Sequence, residues 1–184
     1  MNRPHIHTQR LCLRPFAETD IFDIVRLADD PQVSQMTRNI PHPYATSDAE
    51  NWLDSMQQHA NNSCVYAITH LQTGILIGAI GLEGLQQTWP ELGYWIGSPF
   101  WGEGFCTEAA QALLYYAFTR LSIGHITACH LKENVASGRV MQKLGMRYCR
   151  EAMLENDPGQ PLCCYYQHTA ESFHIEQKPN IVMG

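Results

Sequence analysis

The sequence predicts an α/β (α+β) domain: a mixed, mostly antiparallel sheet flanked by helices. Three observations predict it. The middle of the chain holds three β-rich runs, at 64–70, 75–83 and 91–97, joined by short polar connections. Those connections are too short for a parallel crossover, which takes about a dozen residues or more, so the three strands run antiparallel. From Gly104 the apolar period becomes helical, and the remainder reads strand, short helix, two strands. The predicted order is βααβββαβαββ.

Each element has a local reason. Residues 10–16 (Arg-Leu-Cys-Leu-Arg-Pro-Phe) alternate and read as a strand ending near Pro15. Thr19 or Asp20 then caps a helix whose apolar residues Ile21, Ile24, Val25 and Ala28 share a face and which stops before Pro31. Ser47 and Glu50 form a capping box ahead of Ala49, Trp52, Leu53 and Met56, predicting a second helix over 48–59. Gln72-Thr73-Gly74 is a hairpin turn between the first two central strands, and the polar stretch 86–90 leads into the third. Over 104–121, Phe105, Ala109, Leu113, Tyr116, Ala117 and Leu121 form one helical stripe among good helix formers. Residues 125–131 read as a strand and 136–144 as a helix ended by Gly145. Two strands follow at about 147–155 and 162–170, turning at Pro158-Gly159, and the last ten residues read as a loose tail.

The 184 residues make one domain, and 45% hydrophobic with 16% charged residues excludes disorder, collagen and coiled coil. A net charge of −6 carries no basic footprint for nucleic acid; a small cationic substrate is easier to accommodate. The seven cysteines are scattered without a Cys-x-x-Cys pair, and several sit in apolar strand-like runs as small hydrophobes. A reducing, cytoplasmic compartment is expected. The first ten residues are polar, unlike a signal peptide, and no apolar run approaches the ~20 residues of a membrane span, so a soluble chain is expected. His5-x-His7 offers two metal ligands without further ligands in sequence, and His125 and His130 face opposite sides of a strand, so no metal is expected.

The informative segment is 93–109, Gly-Tyr-Trp-Ile-Gly-Ser-Pro-Phe-Trp-Gly-Glu-Gly-Phe-Cys-Thr-Glu-Ala. A strand ends, the chain turns through glycines, and a helix starts near Gly104. The first amides of a helix lack intrahelical partners, and the macrodipole adds about half a positive charge there. Gly102 and Gly104 allow close backbone approach, and Thr107 adds a hydroxyl, so the turn suits a phosphate. A plain loop with two glycines is the other reading of that pattern. A dinucleotide fingerprint would need a third glycine where Thr107 stands, and a Walker loop would need Gly-Lys-Ser/Thr.

The segment resembles the acetyl-CoA motif of the GNAT N-acetyltransferases, Arg/Gln-x-x-Gly-x-Gly/Ala, which falls here on Pro99-Phe100-Trp101-Gly102-Glu103-Gly104. The fuller string is similar to the branch that acetylates ribosomal-protein N-termini (RimJ/RimL-type), where the first position is often neither Arg nor Gln. Asn134-Val135-Ala136-Ser137 followed by Lys143-Leu144-Gly145-Met146, and the opening Thr8-Gln9-Arg10-Leu11-Cys12-Leu13-Arg14-Pro15, resemble the same branch. The resemblance covers 8–170 as one domain and leaves 171–184 as a tail. It implies a sheet that splays after the strand at 91–97. The pantetheine of acetyl-CoA would lie in the gap against the backbone of Trp95, Ile96 and Gly97. The pyrophosphate would sit on the turn and helix start, with Trp101, Gly102, Glu103, Gly104, Phe105, Cys106, Thr107, Asn134, Ser137 and Lys143 as further cofactor-binding residues.

The implied activity is acetyl transfer to a primary amine, a protein N-terminal α-amine or a small molecule, by direct attack in a ternary complex, without direct nucleic-acid or membrane partners and as a monomer or homodimer. The amine must lose a proton and the leaving thiolate gains from one. Glu91, on the strand face of Gly93 and Trp95, is the favoured base by resemblance, or a solvated glutamate at a strand start; His130 is the rival, and Glu83, Glu155 and a water chain are further candidates. The tyrosine that many relatives use as acid is replaced by Met141. Ser137 takes the acid or relay role by resemblance, or is an ordinary residue near a helix cap. The missing tyrosine leaves a non-catalytic acyl-CoA-binding module as the alternative function. Asn134 bonds pantetheine or orients substrate by the same resemblance, or is a plain turn residue. Cys106, at a helix start, could be a nucleophile but reads as packing, as do Cys163 and Cys164. Asp29, Asp30, Arg38, His42 and Tyr44 are the expected substrate wall.

Overall fold

Alternation of apolar residues sets the N-terminal hairpin. In the computed structural model, which describes residues 3–154, 159–174 and 178–182, Ile6, Leu11 and Leu13 are fully buried while their strand neighbours are half-exposed. The hairpin is β1 (His5–His7) and β2 (Leu11–Arg14). Helices α1 (Ile21–Ala28), α2 (Pro31–Gln35) and α3 (Thr46–Gln58) follow, then β3 (Ser63–His70), β4 (Leu76–Glu83) and β5 (Glu91–Ile96). The rest is α4 (Phe105–Thr119), β6 (His125–Leu131), α5 (Val135–Lys143), β7 (Arg147–Met153), β8 (Leu162–Thr169) and β9 (Asn180–Val182). The strands form one sheet in the order β7-β8-β6-β5-β4-β3-β2-β1-β9. Every neighbouring pair is antiparallel except β5–β6, which is parallel and connected through α4.

Helices cover both faces, which is why β3 and β4 are buried along nearly their whole length rather than alternating. On one face, Ile24, Leu27 and Ala28 of α1 pack with Ala49 and Leu53 of α3 over Ala67 and Leu76. On the other, α4 and α5 pack on Leu11, Leu13, Ile68, Ile80, Leu82 and Leu92. The alanines of α4 let it lie close beneath the sheet: Ala109, Ala110 and Ala117 are fully buried.

The parallel pairing of β5 and β6 covers only Glu91 opposite Thr127 and Leu92 opposite Ala128. Beyond Leu92 the strands part. The amide of Gly97 donates to Ile77 of β4 and that of Thr127 to Pro90. Odd-numbered residues of β5 therefore turn their backbone groups to β4, and Tyr94 and Ile96 turn theirs into the gap.

The predicted βααβββαβαββ series is present, with three additions and several changed boundaries. β1 extends the predicted first strand into a hairpin. α1 does stop before Pro31, and Pro31 then opens the short α2: proline needs no amide partner at a first helical position, and Asp30 caps it by accepting from the Gln32 amide at 2.8 Å. The tail is not wholly loose, since β9 pairs with β1. The capping box at Ser47 and Glu50 does not form; α3 starts at Thr46, and Asp48 reaches back to the Ala45 amide at 2.8 Å. Asp20 makes no cap bond for α1, because its carboxylate is held by Arg14 and the Ala17 amide. The predicted turn residue Pro158, and the candidate base Glu155, lie outside the described residues.

Candidate active site

The turn between β5 and α4 brings unpaired donors together. Gly102 and Gly104 have φ of 82° and 80°, left-handed values that suit glycine, and Gly104 is the N-cap of α4. A Cβ at Gly102 would meet nothing within 4 Å, and one at Gly104 only an Arg10 nitrogen at 3.6 Å, so the backbone borders open space. Among the described residues, no protein acceptor takes the backbone amides of residues 102–107, a run that covers Glu103, Phe105, Cys106 and Thr107. These donors at the positive end of a fifteen-residue helix are fit for an anionic diphosphate. Beside them lies a cavity of about 750 Å³ lined by Gly104, Thr107, Gln111, Lys143 and Lys178. Lys178 reaches it because β9 draws the tail onto the sheet.

Two side chains missed in the sequence hold this turn. The Glu108 carboxylate accepts from Arg10 Nε at 2.7 Å, the Arg10 amide at 2.9 Å and the Thr8 hydroxyl at 2.6 Å. Arg10 also donates to the Glu103 carbonyl at 3.0 Å and lies over the Phe105 ring. The N-terminal hairpin is thereby pinned to the first turn of α4. Trp101 holds the turn from the other side: its indole nitrogen donates to the Ile96 carbonyl at 2.7 Å. That bond takes one of the backbone groups expected to be free along Trp95, Ile96 and Gly97, and the Gly97 amide is taken by Ile77.

Across the gap, Asn134 caps α5 by accepting from the Ser137 amide at 3.0 Å, and its amide nitrogen donates to the Met36 carbonyl at 2.8 Å. Both ends of its side chain are used, so it appears here as a cap and a tie to the segment after α2. Ser137 stands in the first turn of α5, beside its cap. Its amide is capped, and its hydroxyl lies 2.9 Å from the Tyr94 hydroxyl. Tyr94 is a third missed residue. Burial pushes its phenol far up, so it stays protonated. A tyrosine hydroxyl therefore stands beside Ser137 although Met141 itself is buried core.

Glu91 opens on the other face of β5, towards α2. Its carboxylate accepts from Arg38 at 2.7 Å and faces the Cys129 thiol at 3.3 Å. His130 is on the opposite face of β6, buried. Its Nδ1 lies 2.7 Å from the Leu131 carbonyl, which makes Nδ1 the protonated nitrogen, and its Nε2 meets Gly138, where a Cβ would come within 2.8 Å. The structure does not bring Glu91 and His130 together. Glu83 is exposed and pairs in register with Glu91. Cys106 packs against the core, and burial pushes its thiol up, against what a nucleophile needs. Cys163 and Cys164 are buried, and all seven cysteines are free. In the expected substrate wall, the exposed Asp29 accepts from the Tyr44 amide at 2.9 Å and lies near His42, and Asp30 holds the Ser98 hydroxyl. No helix of the described residues is long and apolar enough to cross a membrane.

Residues 10–147 match the family model described as the Acetyltransferase (GNAT) domain. The N-acetyltransferase YnaD of Bacillus subtilis is 30% identical over 146 residues, 78% of this chain and 82% of its own. The structure of Mycobacterium smegmatis RimJ with CoA-disulfide superposes with a TM-score of 0.80 at 20% identity, covering 96% of this chain and 93% of the other. Vibrio cholerae spermidine N-acetyltransferase with CoA and spermine gives 0.75 at 19%, covering 90% and 98%. A domain match over that length, with a relative at 30% identity across most of both chains, means that the chain belongs to the GNAT acetyltransferase family: it is an N-acetyltransferase.

Proposed function

We propose that the chain transfers acetyl from acetyl-CoA to a primary amine, a protein N-terminal α-amine or a small molecule, by direct attack in a ternary complex. The observation that carries this is the run of partnerless amides at 102–107 beside a sheet that opens after Leu92. The amides take the diphosphate, with Lys143 on the neighbouring cavity wall. The backbone of Tyr94 and the Ile96 amide, turned into the gap, hold the pantetheine. CoA in the structures of RimJ and of the spermidine enzyme, which share the fold, supports this reading.

Acetyl-CoA supplies an activated acyl group as a thioester. The chain's own residues divide the proton work between the two faces of β5. On the open face Glu91 takes the ammonium proton, directly or through water, because an α-amine near ~8 or a lysine near ~10.4 arrives protonated. The Arg38 pair must loosen as the cationic amine enters, which exchanges one cation for another at the same carboxylate. On the buried face the Ser137 hydroxyl, oriented by Tyr94, donates to the leaving sulfur. Glu91 is preferred over His130 because its carboxylate is partly exposed, whereas His130 is buried against Gly138 of α5. Direct attack is preferred over an acyl-cysteine because the Cys106 thiol packs against the core and its surroundings push its ionisation up.

A screen of acetyl-CoA consumption against N-terminal peptides, polyamines, aminoglycosides and amino acids tests the reading. Turnover on one primary-amine class is expected, with Cys106→Ala retaining it. CoA binding without turnover on any amine would return the non-catalytic reading, and an acetylated Cys106 in the mass spectrum would replace direct attack by a two-step route.

A further inference from the structure

The half-buried outer face of the N-terminal hairpin carries a ligand set that no local spacing reveals. β1 alternates, so His5 and His7 project from one face while Ile6 between them is buried in the core. Cys12 of β2 is the register partner of His7, and in an antiparallel pair directly opposed side chains share a face. The two imidazoles and the thiol come together: one ligand atom from each, all within 4.8 Å of one another.

We propose that His5, His7 and Cys12 form a metal site for a borderline-soft divalent transition ion, Zn²⁺ first, with His7 also on the wall of the cavity beside the start of α4. Two nitrogens and one sulfur are a zinc donor set, and bond lengths of ~2.0–2.1 Å to nitrogen and ~2.3 Å to sulfur put tetrahedral donors about 3.5 Å apart. The difference from the 4.8 Å span would be taken up by side-chain rotation. Water would complete the fourth position. The frame is fixed in advance. A one-residue slip of β1 would expose Ile6, so register is enforced by the core. The Cys12 carbonyl accepts from the Thr69 hydroxyl at 2.9 Å, and Glu108 anchors the hairpin turn through Thr8 and Arg10. The nearby cation Arg14 is neutralised by Asp20 at 2.7 Å. Binding forms a Zn–S bond and releases the Cys12 proton to solvent, with no change of oxidation state. The ion would cross-link β1 to β2 at the strand that carries β9.

The test uses the full chain, reduced and stripped with a chelator. Zn²⁺ is titrated by calorimetry, and X-ray absorption is read on the one-equivalent zinc complex. The expected result is one equivalent bound, with two nitrogen and one sulfur scatterers, and at least tenfold weaker binding in His5→Gln, His7→Gln and Cys12→Ser. Cys149→Ser, at an exposed cysteine outside the cluster, should bind as the parent does. Absence of a stoichiometric site, a zinc shell without sulfur, or unchanged affinity in folded Cys12→Ser would overturn the proposal. The wild-type absorption spectrum decides it even if a variant fails to fold, and neither measurement depends on acetyl transfer.

Discussion

At the residue scale the two faces of β5 do different work. Glu91 meets Arg38 on one side, and Tyr94 meets Ser137 on the other. If Glu91 is the base, Glu91→Gln lowers kcat by ~10²-fold or more and removes one ionisation from the pH–rate profile, with CoA affinity unchanged. An unaltered profile in steady-state assays would move the role elsewhere. Tyr94→Phe and Ser137→Ala act on one hydrogen-bonded unit. Each should lower kcat about tenfold, and the double variant should be no worse than the worse single one. Additive losses would mean that the two hydroxyls work independently. This pair also shows what sequence reading could not reach. Ser137 was visible through its motif, but its partner stands 43 residues away across the gap, and Met141 at the familiar acid position pointed to an absence.

At the element scale the site was legible where it is contiguous. The strand, the two glycines and the helix start lie within one stretch, so the cradle could be read from the order of its residues. Its support could not: Arg10 and Glu108 are 98 residues apart and meet only because β2 lies beside α4. The short elements were missed for a related reason. β1 and β9 have three residues each and exist through their pairing, and the five residues of α2 begin with a proline that resembles a stop. Long periodic elements, such as β6 and α4, were readable because burial of one face or all faces repeats over many residues. Gly104→Ala should lower stability by about 1–2 kcal/mol and weaken CoA binding, because φ of 80° costs any other residue. The loss is conformational rather than steric, since open space surrounds the added atom. Glu108→Gln should loosen the hairpin from α4 at a cost of ~1–3 kcal/mol, read as a fall in Cm with an unchanged m-value.

At the scale of the whole molecule, two buried titratable groups set the response to acid. Burial pushes the Asp20 carboxyl up, but the Arg14 guanidinium and the Ala17 amide outweigh it, so it titrates below its ordinary range. Its contribution is complete above the unfolded value of ~3.9 and is lost as pH falls through the native value. Burial holds His168 below its ordinary 6.5, so the unfolded chain takes that proton first and stability declines as pH falls below about 6.5. Thermal midpoints should therefore fall in two stages, and His168→Gln should remove the upper one while Asp20→Asn costs ~2–4 kcal/mol at neutral pH. A single transition confined to the carboxylate range would contradict this. The central claim is that backbone donors at the start of α4 grip the cofactor's diphosphate next to the opened sheet. Amide chemical shifts of an isotopically labelled sample titrated with CoA test it most directly. Large shifts at Gly104, Phe105, Cys106 and Thr107, saturating at one equivalent, are predicted; saturable CoA binding that leaves those four amides unmoved would contradict it.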